Sequence, residues 1–235
     1  MKEFGKPEIQ ELGEKDLQPI ESESDVIEDA EHKILSKDEM AALLKRHGFT
    51  EGSHGTFSDK EQTIFLYVKN KFKVTDQKEL GEKLDILRTL TKQGILYPET
   101  RWGAFNDGEQ LQIFAVTRAL QQISPMDEIA DAEGAFYNRK KIEGILGEGV
   151  SKEDSDNLLL TSPDSHITRW FRRVDPNYDP AEGPKGEHVR LLNWVEASHT
   201  DNWGLDIQSN TFYPIDVEVI DLPMDISQEN STHDI

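Results

Sequence analysis

The chain contains no cysteine, which excludes disulfides, thiolate metal sites and cysteine nucleophiles together. It is short of positive charge: 26 Lys and Arg stand against 46 Asp and Glu, a formal net charge of −20. That balance argues against nucleic acid or an anionic membrane surface as a partner and favours solubility and a basic partner. No apolar run approaches the roughly eighteen residues of a membrane helix. The opening MKEFGKPEIQELGEKD lacks the apolar centre of a secretory signal. Together these absences give the expectation of a cytoplasmic protein. The seven histidines show no HExxH and no paired metal spacing. There is no GxSxG, no Walker lysine motif and no GxGxxG, which disfavours P-loop and Rossmann nucleotide binding. What is present is 235 residues, enough for one sizeable domain or two small lobes with a real core.

The acidic composition of residues 1–33 predicts a disordered tail, with Ile20, Val26 and Ile27 as apolar residues that a basic partner would order on contact. Ser36-Lys37-Asp38-Glu39 is a capping box, and Met40, Leu43 and Leu44 form one stripe of a short helix ending at Gly48. Gly52-Ser53-His54-Gly55 is a turn ahead of a β-prone run over 63–69. Asp76 to Gln93 has the strongest helical period, with Leu80, Leu84, Leu87 and Leu90 on one stripe and Gly94 in the terminating position. Asn106-Asp107-Gly108 between β-prone runs at 102–105 and 110–117 predicts a hairpin. Residues 121–190 are less regular: helical spacing over 126–143, a polar stretch around Leu158-Leu159-Leu160, and a Trp170-Phe171-Arg172-Arg173 patch read as core with a rim charge. A Pro/Gly loop at 176–186 precedes a second helical stretch at 188–197.

The segment 196–221, EASHTDNWGLDIQSNTFYPIDVEVID, reads as a helix end, a polar loop and an antiparallel hairpin with strands at 203–207 and 211–220. Asn202 closes the loop, and Asp216 follows fourteen positions later. A hairpin of that span brings both to its open end, where an amide oxygen and a carboxylate suit Mg²⁺, a hard cation that takes oxygen ligands.

Asn202-Trp203-Gly204-Leu205-Asp206, a turn, and Tyr213-Pro214-Ile215-Asp216-Val217-Glu218 resemble the catalytic-loop and metal-loop segment of kinase-fold phosphotransferases, closest in flavour to the aminoglycoside and choline kinase-like branch. The resemblance implies an α+β, two-lobe kinase-like fold with a reduced C-terminal lobe. It divides the chain into a tail (1–33), an N-terminal lobe (34–120), a C-terminal lobe (121–226) and a frayed end (227–235). It implies ATP and Mg²⁺ as cofactors, with Asn202 and Asp216 holding the metal and Glu218 as an accessory ligand. Lys69, with Lys71 and Lys73 as competitors, would meet the phosphates, and Glu82, with Glu79 in reserve, would hold that lysine. Gly52 and Gly55 would cover the phosphates, and a connector from Val116 to Leu120 would meet adenine. The family places a catalytic Asp five residues before the Asn, where this chain has Ala197; Asp201, Glu196 and His199 are the nearest groups to take its place. An alternative register makes Asp201 the base and Asp206 the metal ligand. Two other functions stay open: a pseudokinase acting as a nucleotide-binding scaffold, and an acidic interaction module that binds no nucleotide.

Overall fold

The computed structural model describes residues 33–52, 55–74, 76–123, 126, 136–186, 202–215 and 217. The fold is α+β. Ser36 ends a three-residue strand β1 (Ile34–Ser36) and caps helix α1 (Lys37–Arg46): its hydroxyl accepts the Glu39 N–H, and the Glu39 side chain returns to the Ser36 N–H. Strands β2 (Thr50–Glu51), β3 (Thr56–Ser58) and β4 (Ile64–Val74) follow as a meander. Asp76 caps helix α2 (Gln77–Lys92) by accepting the N–H groups of Lys78 and Glu79, and the expected leucine stripe is the buried face. Strands β5 (Arg101–Asn106) and β6 (Leu111–Arg118) form the predicted hairpin, in which Asp107 accepts the N–H groups of Glu109 and Gln110.

These strands make one mixed sheet in the order β1-β5-β6-β4-β3-β2. Only β1 and β5 are parallel neighbours. Because β6 lies between β4 and β5 and is antiparallel to both, α2 carries the chain across it. Side chains alternate between the faces of the sheet. Leu66, Phe105, Phe114 and Val116 point to one face, under Met40 and Leu43 of α1. Trp102, Ala104, Ile113 and Ala115 point to the other, under α2. The Trp102 indole N–H donates to Thr91 Oγ1 at 2.8 Å, which joins sheet to helix inside that core.

The second half adds β7 (Gln121–Gln122), then helices α3 (Arg139–Leu146), α4 (Lys152–Thr161) and α5 (His166–Val174), then β8 (Trp203–Asp206) and β9 (Thr211–Pro214). Strands β7, β8 and β9 form a second antiparallel sheet. Helices α4 and α5 start at Ser151 and Ser165, whose hydroxyls accept the N–H groups of Asp154 and Thr168. Of the helix expected over 126–143, Phe136–Asn138 is corrected to chain without regular structure, the Asn138 side chain starts a helix at Arg139 by accepting the Lys141 N–H, and 127–135 lies outside the described residues. The stretch 188–197 lies outside the described residues.

One core runs through both halves, from Leu80 and Leu87 on α2 to Trp170, Phe171 and Trp203. Trp170 on α5 donates its indole N–H to the Ile95 carbonyl at 2.9 Å, and Ile95 and Leu96 are loop residues buried in that core. The Trp170-Phe171-Arg172-Arg173 patch therefore divides: both aromatic rings are fully buried, Arg172 is exposed at the rim, and Arg173 turns inward. Among the described residues no helix is long and apolar enough to cross a membrane.

Candidate functional site

Hairpin β8–β9 is shorter than its sequence pattern suggests. Asp206 ends β8 because its carboxylate turns back to accept the Gln208 N–H at 3.1 Å and the Ser209 hydroxyl. Ile207, expected in the strand, is in the turn and 72% exposed. Asn210 completes the reversal at φ 50°, a left-handed conformation that Asn tolerates. Asp206 is thus a turn-forming group, at the opposite end of the hairpin from Asn202.

The open end holds the residues of interest. Trp203 pairs with Pro214, and beyond them the Asn202 carbonyl accepts the Ile215 N–H at 2.8 Å. The Asn202 backbone thus lies beside Ile215, the residue before Asp216. Asp216 and Glu218, and the candidate acids and base Glu196, His199 and Asp201, lie outside the described residues. Among the described residues no group of three or more acidic or histidine side chains is arranged to hold a metal ion. Asn202 is the one described member of the expected oxygen set, and it is partly exposed at the ladder's mouth.

Three contacts fix this hairpin in the molecule. Gly204 of β8 lies under Leu120, so closely that an added Cβ would sit 2.6 Å from Leu120 Cβ and 3.1 Å from Ile215 Cγ2. A glycine inside a strand is a signal of such an approach. The Arg173 guanidinium donates to the Phe212 carbonyl of β9 and to the Gly94 carbonyl at the end of α2, and stacks 4.7 Å over the Tyr213 ring. Burial pulls Arg173 below its ordinary value. Tyr213 in turn meets Tyr97 at 5.3 Å between ring centroids. Burial, with the Asp206 and Glu99 charges, pushes the Tyr97 hydroxyl up to about 12.

Behind the hairpin sits His166, fully buried. Its ring stacks on Phe136 at 4.5 Å and meets the edge of Trp203 at 4.9 Å, and its Nδ1 accepts the Tyr137 N–H at 3.3 Å. Burial, with the Lys141 charge adding, lowers it to about 3, so the ring is neutral.

The residues expected around a nucleotide are placed as follows. Lys69 follows Phe65 and Tyr67 on the β4 face that continues past Ile113 and Ala115, the face under α2; its Nζ lies 5.4 Å from the Tyr67 ring centroid. Phe65 and Tyr67 stack at 5.9 Å. Glu82 is on α2, where its ion partner is Lys78 one turn back at 3.6 Å, and Glu79 pairs with Lys83 at 2.7 Å. Helical i,i+4 spacing thus gives each glutamate a lysine on its own helix. The Gly52 N–H donates to the Thr56 carbonyl at 2.7 Å and Gly55 stands at φ 75° with its carbonyl on the Val68 N–H, so both glycines close the β2–β3 turn. Val116, expected to offer backbone groups to adenine, is within β6. It lies mid-sheet between Leu66 and Arg101 with its side chain in the α1 core, and the link to β7 is Ala119-Leu120.

The sequence reading missed Arg173, Tyr97 and Leu120 as the groups that seat the hairpin. For Leu120 the signal was Gly204, and for Arg173 it was the second of two arginines that follow two core aromatics. Comparison with protein-family models, with curated proteins and with solved structures returned no match.

Proposed function

We propose that the protein is an Mg²⁺-dependent, ATP-binding phosphotransferase of two-lobe, kinase-like fold. The observation that carries this reading is the ladder register at the hairpin mouth, where the Asn202 carbonyl holds the Ile215 N–H and the chain enters Asp216 next. The order β4, α2, β5, β6, with Lys69 on the α2 side of the sheet, supports it. In this reading Asn202 and Asp216 supply oxygen to the metal, Glu218 assists, and Lys69 meets the phosphates. Asp201 or Glu196 orients the acceptor hydroxyl, with His199 beside them. Bound Mg²⁺ supplies neutralisation of phosphate charge. Catalysis of this kind rests on positioning, so the chain's part is a rigid hairpin mouth, and Arg173, Leu120 and Tyr97 provide that rigidity. The test is turnover of γ-labelled ATP with Mg²⁺ across hydroxyl and amine acceptors. Labelled product that disappears in Asp216→Ala supports transfer.

Two observations favour a second reading, a pseudokinase that binds nucleotide as a scaffold. Ala197 stands where the resembling family has its catalytic Asp, and Glu82 is paired with Lys78. Nucleotide binding with no labelled product in any acceptor panel distinguishes it. An acidic module that binds no nucleotide is what a failure of both assays would leave.

A further inference from the structure

The corner between α3 and α4 holds an open cavity of about 570 Å³ that the phosphotransfer reading does not use. Gly147 at φ 100° and Gly149 at φ 73° turn the chain there, in conformations that suit glycine, and so separate the last turn of α3 from the first turns of α4. The floor is apolar. Val150 and Leu158 pack down against the main core, and Leu146 forms one side, 42% exposed beside Ile145 at 52%.

The rim is acidic. Glu148 and Asp154 both line the cavity, and no Lys or Arg does. Among the described residues neither carboxylate is in an ion pair; Asp154 accepts the Ser151 hydroxyl at 2.7 Å. An apolar floor under unpaired carboxylates complements an aliphatic side chain flanked by cations. A second copy of this chain is a poor fit, because it would bring a −20 molecule against another and acids against this acidic rim. The geometry points to a docking groove for a short basic segment of a partner protein. One aliphatic anchor of that segment sits on Val150 and Leu158, and flanking Lys or Arg residues meet Glu148 and Asp154.

The test titrates the full chain, ¹⁵N-labelled, with the acetylated and amidated peptide Gly-Lys-Lys-Leu-Lys-Lys-Gly. Versions with Leu replaced by Ser, and with every Lys replaced by Glu, serve as comparisons. The groove account expects amide shifts concentrated in residues 145–161 and affinity about tenfold weaker for either altered peptide. Glu148→Gln/Asp154→Asn weakens the parent peptide about tenfold, whereas Glu51→Gln/Glu61→Gln, with the same change of charge, leaves it within about twofold. Leu146→Ser alters an exposed side chain and keeps the test alive if the double variant misfolds; it too weakens the peptide. Shifts centred elsewhere, equal loss in the control variant, absence of binding, or an equal response to spermine overturns the proposal. So does a groove response that follows protein concentration without peptide, since that makes the occupant a second copy.

Discussion

The Asn202 carbonyl and the Ile215 N–H close the mouth of the β8–β9 hairpin with a 2.8 Å hydrogen bond, and the stretch on either side of that bond holds every acid, amide and imidazole assigned to the metal and the acceptor. Its position depends on packing at Gly204, where Leu120 and Ile215 leave no room for a methyl group. Gly204→Ala is expected to cost about 1–3 kcal/mol through overpacking. Adding Leu120→Gly, which removes the Cβ that the new methyl group would meet, should restore part of that loss, because the two sites are in contact. Urea unfolding of the two singles and the double measures it, and simple additivity would contradict the packing described.

Arg173 ties three elements by donating to the Gly94 and Phe212 carbonyls and covering Tyr213. Hydrogen bonds from a charged donor are each worth about 1.5–3 kcal/mol. Arg173→Met should therefore destabilise the fold by roughly 3 kcal/mol, and Arg173→Lys should recover only a minority of it, because an ammonium lacks the planar fork. A loss under about 0.5 kcal/mol in chemical denaturation would show that the guanidinium contributes only packing.

Acid should unfold the protein partly through His166. Its folded value, about 3, lies below the ordinary 6.5, so the unfolded chain takes up a proton that the folded chain refuses. The stability is whole above about pH 6.5 and declines as the pH falls from there toward 3, by at most about 1.4 kcal/mol per pH unit. His166→Phe removes that term. At neutral pH its stability is lower, because the Tyr137 N–H loses its acceptor, but its slope between pH 6 and 4 should be shallower by up to about one proton. Parallel curves for the two proteins would contradict the buried neutral ring.

Removing residues 1–31 is expected to leave nucleotide affinity unchanged within about twofold while weakening charge-driven binding of a basic partner, most clearly at low salt. Calorimetry with ATP·Mg²⁺ on the full and shortened chains checks the first half. A loss of nucleotide affinity would place the tail in the binding site.

Legibility in the sequence followed the local signals. The Ser36–Glu39 capping box, the Asp76 cap with its leucine stripe, the Asn106-Asp107-Gly108 turn and the 203–214 hairpin were all readable, because each is specified by residues a few positions apart. Strand β1 was not: three residues carry no period, and its pairing partner on β5 is about seventy positions away. Helices α4 and α5 were missed because Pro163 and short length hide their periods, although Ser151 and Ser165 were available as caps. At the site, the hairpin mouth was legible from spacing. The partners of Glu82 and the seat of Val116 were not, since they depend on which lysine is nearer and which sheet face is covered.

The most direct measurement is thermal unfolding with and without ATP and Mg²⁺, on the wild type and on Asp216→Ala and Asn202→Ala. At ligand about a hundredfold above Kd, binding adds about 2.7 kcal/mol. For a chain of this size that is a rise of roughly 5 °C or more. The account predicts that rise in the wild type, dependent on Mg²⁺, and its loss in both variants. No rise in the wild type, or an equal rise in Asp216→Ala, would contradict it.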